Sequence, residues 1–311
     1  MRVTNKSMPD QIRIQLNQLT ARQAKLQNQI STGQIIKQAS DEPHGFVRLL
    51  GFQSETRSLN QFDKNIDSLR QVSNTNFSVV ESVKKLMNRA HEIATLADDL
   101  KSRDELEIYA IEINEVLNQV HRLSNTESMG QYIFGGSVTD KPPYQAVKDP
   151  DGNILNVNYT GNESPPEVVI SKDLKVPSMV VGSNESGVGS FGLFKDTRQG
   201  ADTFNTLVKL RDFLQAGDTE SVREISLKDL MTEDKNLTYH IGAIGATQAQ
   251  MDSMQGVISE KVTSLNTVSS KEADADITET ILLLNQNKVA YQAALQAAGQ
   301  ILNTSLLDYI R

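Results

Sequence analysis

The sequence predicts a mainly α protein with an inserted β-rich domain, in which the N- and C-terminal regions form a long antiparallel helical rod or coiled coil. Three observations point there. Apolar residues recur at helical spacing over stretches much longer than an ordinary globular helix. Six of the eight prolines fall within residues 138–200, among short segments of strand character. Aromatic residues are only 5% of the chain and tryptophan is absent, which favours thin layers of helices over a thick core.

The elements follow in chain order. Ile12, Leu16, Leu19, Leu26 and Ile30 are spaced by threes and fours, with Gln23 at the one polar position of the seam. Ser31-Thr32-Gly33 closes this first helix, with Gly33 placed for a left-handed cap. Ser40-Asp41-Glu42-Pro43 opens the next: Ser40 or Asp41 can accept backbone N–H bonds, and Pro43 suits the first turn. From there to Leu100 there is no proline. A seam runs through Leu59, Phe62, Ile66, Leu69, Val72, Asn76, Val80, Val83, Met87, Ala90, Ala94 and Ala97. At a 1.5 Å rise per residue such a helix would be roughly 85 Å long, the dimension of a rod. Ser102 and Glu105 form a capping box for a third helix, which returns antiparallel with Leu106, Tyr109, Ile113, Val116, Val120 and Leu123 on one face.

Past Gly135-Gly136 the composition changes. Residues 154–159, 167–170 and 176–181 read as strands, with a Pro-Asp-Gly-Asn turn at 150–153. Helical pattern returns at Asp202 and stops at Gly217, and a second long helix spans 227–269. Asp276 caps the last helix, whose seam reads Ile277, Ile281, Leu284, Tyr291, Leu295, Ala298, Leu302 and Tyr309, interrupted by Lys288 and Ser305. The plan is therefore symmetrical. Residues 1–40 pair with 271–311, residues 41–140 plus 201–270 make a helical rod, and residues 141–200 form an inserted β-rich domain without which the helices should still fold. Each terminal helix is too short to be secure alone. Ile12, Leu16, Leu19, Leu26 and Ile30, with Ile277, Ile281, Leu284, Tyr291, Leu295, Leu302 and Tyr309, are accordingly the candidate assembly interface of a self-associating helical rod.

Composition excludes other classes. The net charge of −8 offers no basic face for phosphate, so no nucleic-acid partner is expected. The absence of cysteine removes disulfides and thiolate chemistry. Residues 1–10 are polar and unlike a cleavable signal peptide, and no apolar run is long enough for membrane insertion. Gly187-Val188-Gly189-Ser190-Phe191-Gly192 fits a dinucleotide fingerprint by spelling, yet no strand–helix frame surrounds it, and it reads as a flexible Gly/Ser loop. Asp41, Glu42 and His44 lack a metal-ligand spacing, and the four histidines stand beside no nucleophile motif. No cofactor, metal or catalytic residue is assigned, and no enzymatic activity is expected.

Two sets of residues resemble the flagellin family. Gln27-Asn28-Gln29-Ile30-Ser31-Thr32-Gly33 followed by Ala39-Ser40-Asp41-Glu42-Pro43 and Gly45 is similar to a stretch near the N-terminus of family members. Asp274-Ala275-Asp276, the run Tyr291 to Ala297 and Leu306-Leu307-Asp308-Tyr309-Ile310 are similar to the other end. Within the family, Met1-Arg2-Val3-Thr4-Asn5 with Met8, and Gly130-Gln131-Tyr132-Ile133-Phe134-Gly135-Gly136, look like the members that join hook to filament. The resemblance implies a structural component of the bacterial flagellum, at the hook–filament junction and serving as a base for flagellin assembly. It would be secreted by type III export without a cleavable signal, with an export chaperone on its C-terminal helix. It would then form a ring-like oligomer with itself between hook-associated protein 1 and flagellin. A minor flagellin of the filament is the alternative within the family, and a soluble coiled-coil adaptor the alternative outside it.

Overall fold

The computed structural model describes residues 7–150 and 152–309, with side chains described for 10–150 and 152–300. The helices are α1 (Ser7–Thr32), α2 (Pro43–Leu96), α3 (Arg103–Ser124), α4 (Thr203–Ala216), the single turn α5 (Thr219–Ser221), α6 (Leu227–Ala273) and α7 (Ile277–Tyr309). A π-helical turn, Val222–Ser226, leads from α5 into α6. Between α3 and α4 the described residues form nine short strands. Antiparallel pairs are β1 (Glu127–Ser128) with β2 (Gln131–Tyr132), β3 (Tyr144–Lys148) with β4 (Ile154–Tyr159), and β5 (Glu167–Ser171) with β6 (Leu174–Pro177). A small mixed sheet joins β7 (Ser183–Asn184), β8 (Lys195–Asp196) and β9 (Ala201–Asp202). The fold is thus mainly α with a β-rich middle.

The chain divides into two compact units: Met1–Ser58 with Glu260–Arg311, and Leu59–Ser259. In the second unit, α2 and α6 run antiparallel, side by side. Gln255 Nε2 donates to Asp63 at 3.0 Å, Gln248 Nε2 to Asn74 at 3.0 Å, and Lys84 pairs with Asp234 at 3.2 Å, so partner numbers fall along α6 as they rise along α2. The predicted α2 seam is the face turned inward, from Ile66 and Leu69 to Ala94 and Ala97. The antiparallel return of α3 is held by its capping box at Ser102 and Glu105 and by Arg89 paired to Glu112 at 2.6 Å. Gly217 ends α4 in the left-handed conformation, φ 74°, as its position requires.

The β-rich stretch packs much of its apolar surface on the helices. Tyr144, Ile154, Leu193 and Phe194 lie in one hydrophobic core with Ile113 and Leu117 of α3 and Leu207 and Leu210 of α4. Phe194 meets Phe134, Tyr144 and Phe204 with ring centroids 5.4, 5.2 and 5.7 Å apart. Arg211 of α4, buried, donates to the Ile154 carbonyl at 2.7 Å, and Asn125 at the end of α3 donates to the Tyr144 carbonyl at 2.8 Å. Sheets of two or three short strands have too little surface to fold alone, so they bury their apolar faces on the helices. The third strand also moves: it is Leu174–Pro177 rather than 176–181.

The Gly187–Gly192 loop is built rather than floppy. Asn184 Nδ2 donates to the carbonyls of Val188 and Ser190 at 2.7 and 2.6 Å, and buried Asp196 accepts from the Gly192 N–H at 2.9 Å. A Cβ at Gly192 would lie 2.0 Å from the Lys195 carbonyl, so only glycine fits.

Glu233 of α6 is buried under the start of α4. It accepts from the Asp202 N–H at 2.6 Å and the Thr203 hydroxyl at 2.7 Å. Burial pushes its pKa up to about 8; those two donors act against the rise, and the carboxyls of Asp202 and Asp229 add to it. Lys195 of β8 pairs with Asp202 at 3.8 Å, and Lys209 of α4 with Asp229 at 3.9 Å. Because the folded pKa lies above the unfolded value, the stability linked to this proton is complete below about pH 4.5 and is lost as pH rises through about 8. The wild-type stability should therefore fall between pH 6 and pH 9, by about 2–3 kcal/mol, and fall clearly less in Glu233→Gln. Urea titrations at the two pH values read this directly, and equal slopes in both proteins would refute the assignment.

Candidate assembly interface

The first unit is built around the antiparallel pairing of α1 with α7. Gln34 and Asp274 form an isolated antiparallel bridge, the Ile35 N–H donates to the Ala273 carbonyl at 2.7 Å, and the Ala275 N–H to the Gly33 carbonyl at 2.8 Å. Farther along, Asn287 Nδ2 donates to the Leu19 carbonyl at 2.9 Å. Gly33, at φ 71°, ends α1 and lets the chain turn into the bridge. Asp276 caps α7 by accepting from the N–H groups of Thr278 and Glu279 at 2.8 and 3.1 Å.

On α1 the predicted seam is the face turned from solvent. Leu26 is buried, and Ile12, Leu16, Leu19, Gln23 and Ile30 are half-buried among exposed neighbours. On α7 the predicted residues divide between two faces of the helix. The most buried positions are Thr280, 7% exposed, and Asn287, 5% exposed, with Leu284 and Tyr291 half-buried between and beyond them. Ile277, Ile281 and Leu295 are 40, 45 and 46% exposed, and Leu282 and Val289 stand out farther. The helix therefore turns a partly polar line inward and leaves an apolar line outside. Counting apolar residues could not find this, because the amide of Asn287 is tolerated inside by its bond to a main-chain carbonyl. The side chains of Leu302 and Tyr309 lie outside the described residues.

The loop between α1 and α2 supplies residues that the sequence reading missed. Ile36 is buried, and a Cβ on Gly45 would lie 2.6 Å from its Cδ1, so the glycine gives the isoleucine its seat. Asp41 does not cap α2. Its Oδ2 accepts from the N–H groups of Lys37 and Gln38 at 3.3 and 3.2 Å, which closes the preceding turn and lowers the carboxyl pKa. Arg48 Nε donates to Glu272 at 3.1 Å, and Lys261 pairs with Glu55 at 2.6 Å, so α2 and α6 also run antiparallel within this unit. The adjacent Gly33 and the Asp-Glu-Pro-x-Gly spelling were the available signals.

The α1–α7 pair buries little apolar surface, which makes it a low-stability part of the fold. In the free subunit, amide hydrogen exchange along residues 12–30 should be much faster than along residues 59–97 of α2. Comparable slow exchange in both would show that the pair is secure without partners.

Comparison with known proteins agrees with the sequence resemblance. Residues 3–139 match the model for the bacterial flagellin N-terminal helical region. No curated protein matches the chain. Among solved structures, a flagellar hook-associated protein from Vibrio parahaemolyticus is 18% identical, with a TM-score of 0.64 over 75% of this chain and 100% of that one. Bacillus cereus FlgL is 20% identical, with a TM-score of 0.55 over 70% of this chain and 98% of that one. Flagellar hook associated protein-3 from Legionella pneumophila is 12% identical, with a TM-score of 0.59 over 71% and 97%. At these identities the likeness is one of fold. The match to the flagellin N-terminal helical region covers residues 3–139, just under half of the chain. Among the described residues no helix is long and apolar enough to cross a membrane.

Proposed function

We propose that this chain is a structural component of the bacterial flagellum that forms the junction between hook and filament and a base for flagellin assembly. The observation that carries the reading is the outward apolar line of α7, Ile277, Ile281 and Leu295, on a helix whose inner face is already taken by α1. Such a line is a surface for further helices of the same kind. The N-terminal flagellin match and the shared fold with hook-associated proteins support the same place. In this reading the subunit is secreted and held by an export chaperone at α7 beforehand. It then forms a ring-like oligomer with itself, bounded by hook-associated protein 1 on one side and flagellin on the other.

Gene deletion followed by electron microscopy tests the proposal. Hooks without filaments and flagellin monomers in the medium are expected, with filaments restored by the wild-type gene. Normal filaments in the deletion strain would rule the junction role out.

A further inference from the structure

Two helices of the second unit expose apolar side chains among charges of a single sign. On α3, Ile108 and Ile111 are each 62% exposed, on one face of the helix. Exposed Asp104, Glu107 and Glu115 surround them. On the first turns of α6, Met231 is 55% exposed and stands between exposed Lys228 and Lys235. Among the described residues none of these five charged side chains makes an ion pair. The core takes other residues: Leu106, Ala110 and Ile113 of α3, and Leu230 and Leu237 of α6, are buried. The outward isoleucines and methionine therefore serve no packing within the subunit.

The two faces are matched in height and look away from each other. Arg89 of α2 pairs with Glu112 of α3 at 2.6 Å, and Lys84 of α2 with Asp234 of α6 at 3.2 Å. Arg89 and Lys84 leave α2 on opposite flanks of its buried line Val83, Met87 and Ala90, so α3 and α6 lie on its two sides. Both run antiparallel to α2 and hence parallel to each other. Counted from the two ion pairs at 1.5 Å per residue, Met231 and Ile111 differ in height by about one helical turn. Copies placed side by side in one orientation, with that offset, bring Met231 of one against Ile111 of the next. Lys235 then meets Glu115, and Lys228 meets Glu107 beside Ile108. Pairing α3 with α3 would instead set carboxylates against carboxylates.

We propose that the acid-rimmed face of α3 docks on the lysine-rimmed face of α6 of a second copy of this chain. Complementary charge sets the register, and the apolar side chains are covered between the helices. A contact between two different faces is heterologous, and its repetition closes a ring or extends a filament. The inference rests on the junction reading and names the contact by which its ring would close. One such contact is smaller than a stable interface. Free subunits stay apart, and the contact forms in an array where each copy makes it twice.

Disulfide trapping in flagella tests it, since the chain has no cysteine of its own. A deletion strain carrying the full chain with Ile111→Cys and Met231→Cys is grown, its flagella are oxidised with copper phenanthroline, and the chain is blotted from non-reducing gels. A ladder of dimers, trimers and larger species is expected, because the two sulfurs of one chain lie on opposite sides and only neighbours can join. Either cysteine alone should leave monomers. Adding Lys228→Glu with Lys235→Glu should remove the ladder, and adding Glu107→Lys with Glu115→Lys to that chain should restore it; circular dichroism checks that each variant folds. Monomers alone, from flagella that contain the double-cysteine chain, would overturn the contact and leave the junction reading standing. A ladder indifferent to charge reversal, a folded compensated variant that does not recover it, or dimers from Ile111→Cys alone would also overturn it. Absence of the wild-type chain from flagella would overturn both readings.

Discussion

Replacing Leu295 with Asp is expected to leave the isolated subunit folded and to abolish its incorporation into the flagellum. Leu295 is 46% exposed, so a carboxylate there remains hydrated in the free chain. Covered by a neighbouring helix, the same carboxylate would be an unpaired buried charge costing several kcal/mol at each contact, repeated in every copy of a ring. Ile281→Asp should behave alike. Gln300→Asp, on an exposed position of the same helix, is the control and should be close to neutral. Circular dichroism melts should coincide for all three variants and the wild type, while swimming in soft agar is lost only for the first two. Equal loss of motility at all three positions would mean that the apolar line of α7 is not the contact.

The second large effect concerns the core of the other unit. Phe194→Ala should destabilise that unit by about 3–5 kcal/mol, the usual cost of deleting a fully buried phenylalanine. That is a large part of what holds a domain together. Phe194 is fully buried and touches three aromatic rings contributed from outside and inside the β-rich stretch: Phe134, Tyr144 and Phe204. Excision of residues 141–200 removes Tyr144, Ile154, Leu193 and Phe194 together, so the remaining helices should lose cooperative unfolding. A deletion protein that still melts sharply, together with a Phe194→Ala variant of nearly wild-type stability, would show that the stretch folds apart from the helices.

These two expectations mark where sequence was informative and where it was not. Long helices, their caps and their inward seams were legible. Ser102 with Glu105, Asp276, Gly33 and Gly217 act through the backbone within a few residues, and the seam from Ile66 to Ala97 repeats many times over. The inward face of α7 was not legible. Hydrophobic periodicity allows two overlapping lines that share Leu284 and Tyr291, and the line through Thr280 and Asn287 is selected by one side-chain bond to the Leu19 carbonyl. The packing of the β-rich stretch on the helices was not legible for a related reason. Loop-like edges at Gly135-Gly136 and before Asp202 suggest an insertion, but burial of Phe194 against α4 is a long-range contact with no local signature. A cleft lined by Asn76 and His240 was likewise out of reach, since α2, α6 and the segments 177–181 and 189–191 come together only through packing.

Immunogold labelling of intact flagella with an antibody to this chain is the most direct measurement of its role. A junction protein gives one narrow band of label at the boundary of hook and filament on each flagellum, and none along the filament. Label distributed along the whole filament would make the chain a flagellin, and label confined to the cell interior would make it an adaptor; either result contradicts the junction role.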